Sequence, residues 1–292
     1  MAHRTLVRAL LATLSLAAGA GAHADSILDV QAGALYDSNL SRAEYSYDVK
    51  SDTALQAAVA WGRFVPVADG LTLRATLDAA GEAYTRYSGL NNLAVGGSLG
   101  LRRKFGLGAF APWISTSLSA NRLEYQNDVR DGWRYDFALA TGKRITDEWS
   151  VSATYSYQHR TADHAVSVVP GISGAVFDLQ GHTLGVATEY AVTEDLSLNA
   201  GYDRRRGDVA STTLRNFEIY SNSDAITPDP VFGANTIGYR IFAATNIWRV
   251  GASYAVGTAG SLNLVAERWI SRARGDLDYY NTLVGLSYVH AF

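Results

Sequence analysis

The sequence has no cysteine. Disulfides, thiolate metal sites and lipid attachment at a lipoprotein-type cysteine are therefore excluded. Past the N-terminus it also lacks any run of about 18 consecutive apolar residues, which rules out a helical membrane protein. Charge of one sign is not in excess: 25 Lys and Arg face 28 Asp and Glu, and a net charge of -3 argues for no particular partner. No basic stripe is interleaved with stacking aromatics, so nucleic acid is not expected as a partner. Motifs for chemistry are sparse as well. Past the N-terminal segment the histidines are His159, His164, His182 and His290. Hydrolysis needs a nucleophile with an oriented base. Asp163, His164 and Ser167 are the one trio close enough in the chain to be weighed, and their spacing matches no hydrolase motif. No EF-hand-like spacing appears in the Asp-rich loops, and no cofactor is implied.

What is present begins with a leader. His3, Arg4 and Arg8 form a short basic start, Leu6 to Ala18 is apolar, and Ala22-His23-Ala24 supplies a small-x-small cleavage pattern. The expectation is a cleaved secretory signal over residues 1–24 and one domain over 25–292. The apolar stretch is shorter than the roughly 20 residues a transmembrane helix needs.

The rest of the chain alternates. At its C-terminus Tyr280, Thr282, Val284, Leu286, Tyr288, His290 and Phe292 share one face of an extended strand, and Asn281, Leu283, Gly285, Ser287 and Val289 share the other. Similar period-two segments of about 10 to 15 residues recur, the length a tilted strand needs to cross a bilayer and emerge. Twelve can be counted. Short Gly- and Asp-bearing turns near 65–70, 104–108, 145–148, 192–195 and 257–260 alternate with longer links near 37–52, 88–92, 126–132, 162–178, 207–237 and 273–278. An even strand count with alternating short and long links predicts an all-β, up-and-down antiparallel transmembrane β-barrel with both termini periplasmic. Lipid offers no hydrogen-bond partner, so the first strand must pair with the last. Aromatics collect near the strand ends: Trp61, Trp149, Tyr190, Tyr254, Tyr288 and Phe292 at the short turns, and Tyr36, Tyr87, Tyr125, Trp133, Tyr157, Tyr202 and Tyr280 at the long links. Two girdles at headgroup level are expected from them.

A terminal strand that stops on Phe resembles the last strand of bacterial outer-membrane β-barrels of the porin-like type. The resemblance implies an outer-membrane location. It also implies that Tyr288 and Phe292 belong to a signal read by the outer-membrane insertion machinery. The eight residues Leu35-Tyr36-Asp37-Ser38-Asn39-Leu40-Ser41-Arg42 resemble the first-strand exit of barrels linked to surface-polymer or lipoprotein export.

If the apolar face meets lipid, parity assigns Arg74, Asp78, Glu82 and Arg86 to a lumen, with Arg102, Arg134, Asp136, Arg144, Arg160, Glu189, Asp203, Arg205, Arg249 and Glu267. Arg268, beside Glu267, breaks the alternation. The remaining inward positions read as mainly Ser, Thr, Gly and Ala. The charged set is open to two readings: an arginine ladder that draws small polar or anionic solutes through a narrow pore, or ion pairs that hold a polar interior together. Twelve strands lie between filled small barrels and open porins, so a narrow or loop-closed passage is expected. The longest link, 207–237, reads as a flexible surface loop. Three functions follow: a passive channel; a structural or assembly barrel serving a periplasmic partner or an exported polymer; and a lipid-modifying enzyme.

Overall fold

The computed structural model describes residues 26–292; the leader segment lies outside the described residues. Thirteen strands form one antiparallel sheet. They are β1 (Ser26–Asp37), β2 (Asp52–Ala68), β3 (Leu71–Tyr84), β4 (Asn92–Lys104), β5 (Trp113–Tyr125), β6 (Gly132–Arg144), β7 (Trp149–Ala162), β8 (Leu179–Ala191), β9 (Leu196–Leu214), β10 (Ala225–Pro228), β11 (Thr236–Val256), β12 (Gly260–Ala273) and β13 (Asp278–Ala291). Setting aside the four-residue β10, twelve strands pair with their sequence neighbours, and β9 pairs with β11. The ring closes where β1 meets β13, in a register running from Asp29↔Ala291 to Asp37↔Leu283. This is a closed twelve-stranded up-and-down barrel, with no open edge to leave unpaired in lipid.

The two faces differ as a membrane barrel requires. Leu55, Leu77, Leu99, Leu118, Leu184 and Val250 are each more than half exposed. Their strand neighbours of opposite parity, such as Ala54, Thr76 and Asn121, are buried. A water-soluble monomer does not expose so extensive an apolar surface, so the solvent of the outer face is hydrocarbon. Trp133, Trp149, Tyr190 and Tyr254 lie near strand ends on the outer face, while Phe137 and Tyr155 pack against each other in mid-strand. Tyr125 and Tyr87 depart from the expected girdle. Tyr125 has inward parity and lies beneath the Arg160 guanidinium, 5.2 Å from its ring centre. Tyr87 packs edge-on against Phe232, with centroids 4.9 Å apart.

Glycine lets neighbouring strands approach closely at two inward positions. A Cβ on Gly62 would collide with the carbonyl of Ala75, and one on Gly96 with the carbonyl of Ala120. The outer face beside these glycines holds a shallow groove of about 830 Å³, lined by Ala75, Gly97 and Ala120 and by Trp61, Leu77 and Phe137.

The strands flanking the longest link run further than periodicity indicated. β9 continues to Leu214, β11 starts at Thr236, and the two stay paired to the last residue of β9, Leu214↔Thr236. The remaining link is not a loose loop. It holds a short helix, α1 (Phe217–Ser221), whose first backbone N–H groups are capped by the Asn216 side chain, and then β10, which pairs with β11. Ile219, Ile226, Tyr239, Ile241, Leu277 and Tyr279 make a buried apolar cluster under it. The expected flexible loop is thus a packed element, because its apolar residues find partners on β11 and β13.

Candidate functional site

The interior is built from one residue in two of every strand. Its wall over β4–β8 is lined by small side chains: Ser98, Gly100, Ser115, Ser117, Ala138, Ser156 and Thr183 all have inward parity. The opposite wall differs from the expectation of small residues. Leu35, Ile247, Val265, Trp269 and Leu283 form a buried apolar cluster inside the barrel. These strands carry apolar residues on both faces, which blurs the alternation that the parity reading relies on.

Level with that cluster sits a charged one. Arg249 donates from Nη2 to Asp203 Oδ2 at 2.9 Å and from Nε to Glu267 Oε1 at 2.6 Å. The Trp269 indole N–H donates to the second Glu267 oxygen at 2.8 Å. Glu267 is therefore inward and fully engaged. Its neighbour Arg268 points out, donating to Thr282 Oγ1 at 2.8 Å. The broken pattern near 267–268 is a charged residue on each face.

The other charged positions are distributed round the ring. Arg74 lies 3.7 Å from Asp29 and over the Phe64 ring. Asp78 accepts from Thr76 at 3.1 Å, and Thr76 in turn meets Ser98. Glu82 accepts from Gln56 and Asn92 at 3.1 and 2.9 Å. Arg102 stacks over Trp113, 4.5 Å from its centroid. Arg134 Nε lies 3.2 Å from Asp136, which also accepts from Gln158. Arg205 donates to the Asp208 carbonyl at 3.0 Å. Arg160, almost wholly buried, donates to the Arg130 carbonyl and faces the Phe177 ring. Arg144 stands apart, exposed at the short-turn end of β6. Of these charged positions, Arg249, Asp203 and Glu267 share one cluster and Arg134 and Asp136 another, while the others described occupy separate places on the wall.

Sequence reasoning missed the densest polar assembly, at the long-loop mouth. The segment Asp37–Arg42 folds inward as a knot. Asn39 Nδ2 donates to the carbonyls of Ala43 and Tyr280 at 2.8 and 3.0 Å. Asp37 accepts from the Asn39 N–H at 2.7 Å and from Arg42 at 3.1 Å. Arg42 takes a left-handed φ of 54° to reach back. The knot reaches β9 on the far side of β11–β13: the Arg42 carbonyl accepts from Ser211 Oγ at 2.8 Å, and Asp48 Oδ1 accepts from the Leu214 N–H at 3.1 Å. Beside it Asp229, fully buried, accepts from the Arg130 guanidinium and from Thr212 Oγ1. Phe177 lies under Arg130, 4.4 Å from ring centre to guanidinium. Polar residues clustered at 37–42 and the Pro228-Asp229-Pro230 step were the available signals. Neither carries a period from which burial can be read.

Asp163, His164 and Ser167 are not assembled into a site. Asp163 pairs with Arg122 at 2.6 Å, and the Ser167 hydroxyl donates to the carbonyls of Val169 and Ile172. Among the described residues no cluster of three or more His, Asp or Glu is placed to hold a metal ion.

No protein-family model matches the chain, and no curated protein matches it in sequence. Solved structures do match in shape. The chain superposes with a TM-score of 0.57 on an outer-membrane channel from Pseudomonas putida F1, at 12% identity, over 93% of this chain and 97% of that one. The fold is that of an outer-membrane β-barrel. Looser similarity extends to the translocator domain of the autotransporter NalP from Neisseria meningitidis, with a TM-score of 0.45 and 12% identity over 100% of this chain and 96% of that one. It extends also to the NanC porin, with 0.47 and 11% over 90% and 98%. Together the closed barrel and its apolar belt place this outer-membrane barrel in lipid.

Proposed function

We propose that this barrel is a narrow passive channel for small polar or anionic solutes, with its long loops outside the cell and both termini in the periplasm. The observation that carries this reading is the lopsided interior. Ser, Thr, Gly and Ala along β4–β8 leave free cross-section, and arginines Arg74, Arg102, Arg134 and Arg205 stand round its rim. Such a wall offers hydroxyl groups for a polar solute and positive charge for an anion. The fold shared with a Pseudomonas outer-membrane channel supports the same reading. Asp163, His164 and Ser167 are not assembled, so they lend no support to the hydrolytic alternative.

The mouth favours a second reading. Loops that pack as tightly as those around Asp229 also suit a structural or assembly barrel whose ordered cap serves a partner protein or an exported polymer. Single-channel recording separates the two. Purified barrel in a planar bilayer is expected to pass discrete currents in KCl. A sealed bilayer under the same conditions refutes the channel.

A further inference from the structure

On the outer face, near the long-loop edge, the belt stops early on one side. Along β9 the outward residues from the short-turn end are Leu196, Leu198, Ala200, Tyr202, Arg204 and Arg206. At about 3.3 Å per residue and a tilt of about 40°, Arg204 stands roughly 20 Å above Leu196. A barrel belt is about 25 Å tall, so this guanidinium sits at the lipid boundary. The girdle agrees, because Tyr202 and Trp248 contact each other one position nearer the belt, with ring centres 4.7 Å apart.

Arg204 is held rather than loose. It donates to Asn246 Oδ1 at 2.5 Å, and Tyr202 donates to the same oxygen at 2.7 Å. Arg268 stands on β12 opposite Trp248, anchored on Thr282 and lying over the Tyr280 ring at 5.5 Å. Arg206 faces His182 across the β8–β9 pairing. Among the described residues none of Arg204, Arg206 and Arg268 has an acidic partner; the nearby Asp278 is turned to Arg272, at 3.9 Å. Beside Arg206 a groove of about 710 Å³ opens on the outer wall, with Tyr155, Tyr157, His182 and Phe242 as an aromatic floor and Gln180 and Asp208 on its rim. The one carboxylate on that rim, Asp208, accepts from the Gln180 N–H at 3.0 Å. Three guanidiniums near headgroup height that form no ion pair among the described residues call for an anion from the membrane itself, and a guanidinium fork matches phosphate. The aromatic floor and polar rim fit a sugar face better than an acyl chain.

We propose that the outer wall of β8–β12 binds the phosphorylated sugar headgroup of an outer-leaflet glycolipid, lipid A, with its phosphates distributed over Arg204, Arg206 and Arg268. The inference rests on the outward placement of the long loops.

The test uses the whole barrel, purified from outer membranes in mild detergent, and native mass spectrometry to count retained lipid. Wild type is expected to keep lipid A and to prefer it at least ten-fold over its dephosphorylated form and over phosphatidylglycerol. The combined R204Q, R206Q and R268Q substitutions are expected to lose that preference, while heat-modifiable gel migration reports an intact barrel. The same three positions changed to Lys keep the charge and are expected to restore part of the binding, which covers a failure of the Gln variant to fold. Equal retention by wild type and the Gln variant overturns the proposal. So does equal binding of dephosphorylated lipid A or phosphatidylglycerol, or displacement by millimolar inorganic phosphate. Orientation is read separately, by labelling Ala165→Cys and Glu194→Cys in intact cells with an impermeant maleimide. Labelling at Glu194→Cys alone sinks the outward placement; labelling at Ala165→Cys with no lipid preference sinks the glycolipid site alone.

Discussion

Asp229 concentrates the physics of the mouth in one side chain. It is fully buried, and its carboxylate faces Arg130 and Thr212. A buried ion pair gains little over an apolar pair, but removing one partner leaves the other charge stranded, at a cost of about 3–5 kcal/mol. Asp229→Ala is therefore expected to loosen the cap without opening the barrel wall. The outcome to look for is faster proteolysis within 163–178 and 215–235, with unchanged heat-modifiable migration; a cap that resists protease as well as wild type contradicts it. Glycine makes the complementary case. A side chain at Gly62 or Gly96 must push a neighbouring carbonyl aside, so Gly96→Val is expected to lower the yield of folded barrel severalfold, whereas Gly257→Ala, in open space at a turn, is expected to fold with only the modest strain of its φ of 65°. Neither requirement was legible in the sequence. Parity names the face of Gly62 but not how near the next strand comes, and the burial of Asp229 depends on segments far away in the chain.

Elements were more legible than residues, for a definite reason. Inside the lipid belt every outward residue meets hydrocarbon, so period two and strand identity are the same signal, and β3, β5 and β7 could be delimited from it. Where β9 and β11 leave the belt, that pressure ends: Arg205–Leu214 and Thr236–Thr245 pair without alternating, and the strands read short. The terminal strand is the element whose composition makes the strongest demand. Phe292 donates its N–H to Leu28 at 2.9 Å and packs edge-on against His290, so it sits on the closing seam. We propose that this aromatic residue is the feature the insertion machinery engages. Deleting Phe292 is expected to slow assembly of the barrel in cells and to raise its degradation in the periplasm, while leaving the refolded protein's stability in detergent nearly unchanged. Equal assembly rates with and without Phe292 would dismiss that role. Closure itself has an independent check. Ala34 and Leu286 are register partners on the outer face of the seam, and a chain that has no native cysteine makes Ala34→Cys with Leu286→Cys a clean pair. Their disulfide is expected to form on oxidation only in folded barrel.

At the scale of the whole molecule the interior sets the sign of any selectivity. Arg74 lies beside Asp29, Arg134 beside Asp136, and Arg205 beside a backbone carbonyl. The charges of Arg74 and Arg134 are thus matched by carboxylates, which the count of arginines in the sequence concealed: Asp29 lies on a strand whose other inward residues are uncharged until Asp37, and it was not assigned to the lumen. Replacing Arg74, Arg134 and Arg205 together by Ala removes three positive charges and leaves the carboxylates of Asp29 and Asp136 in place. The interior potential becomes negative, so cations are favoured. In a planar bilayer under a KCl gradient the reversal potential is expected to move toward that of potassium, with a permeability ratio changed on the order of a few-fold at 0.1 M salt. Screening shortens the reach of wall charges from about 10 Å at 0.1 M to about 3 Å at 1 M, so the shift should shrink at high salt if these side chains act on the permeating ion through space. A shift that is the same at both concentrations would mean that the substitutions had changed the shape of the passage instead. No shift at either would remove the three arginines from the path, and would leave the ordered loop mouth as the place where ions are sorted.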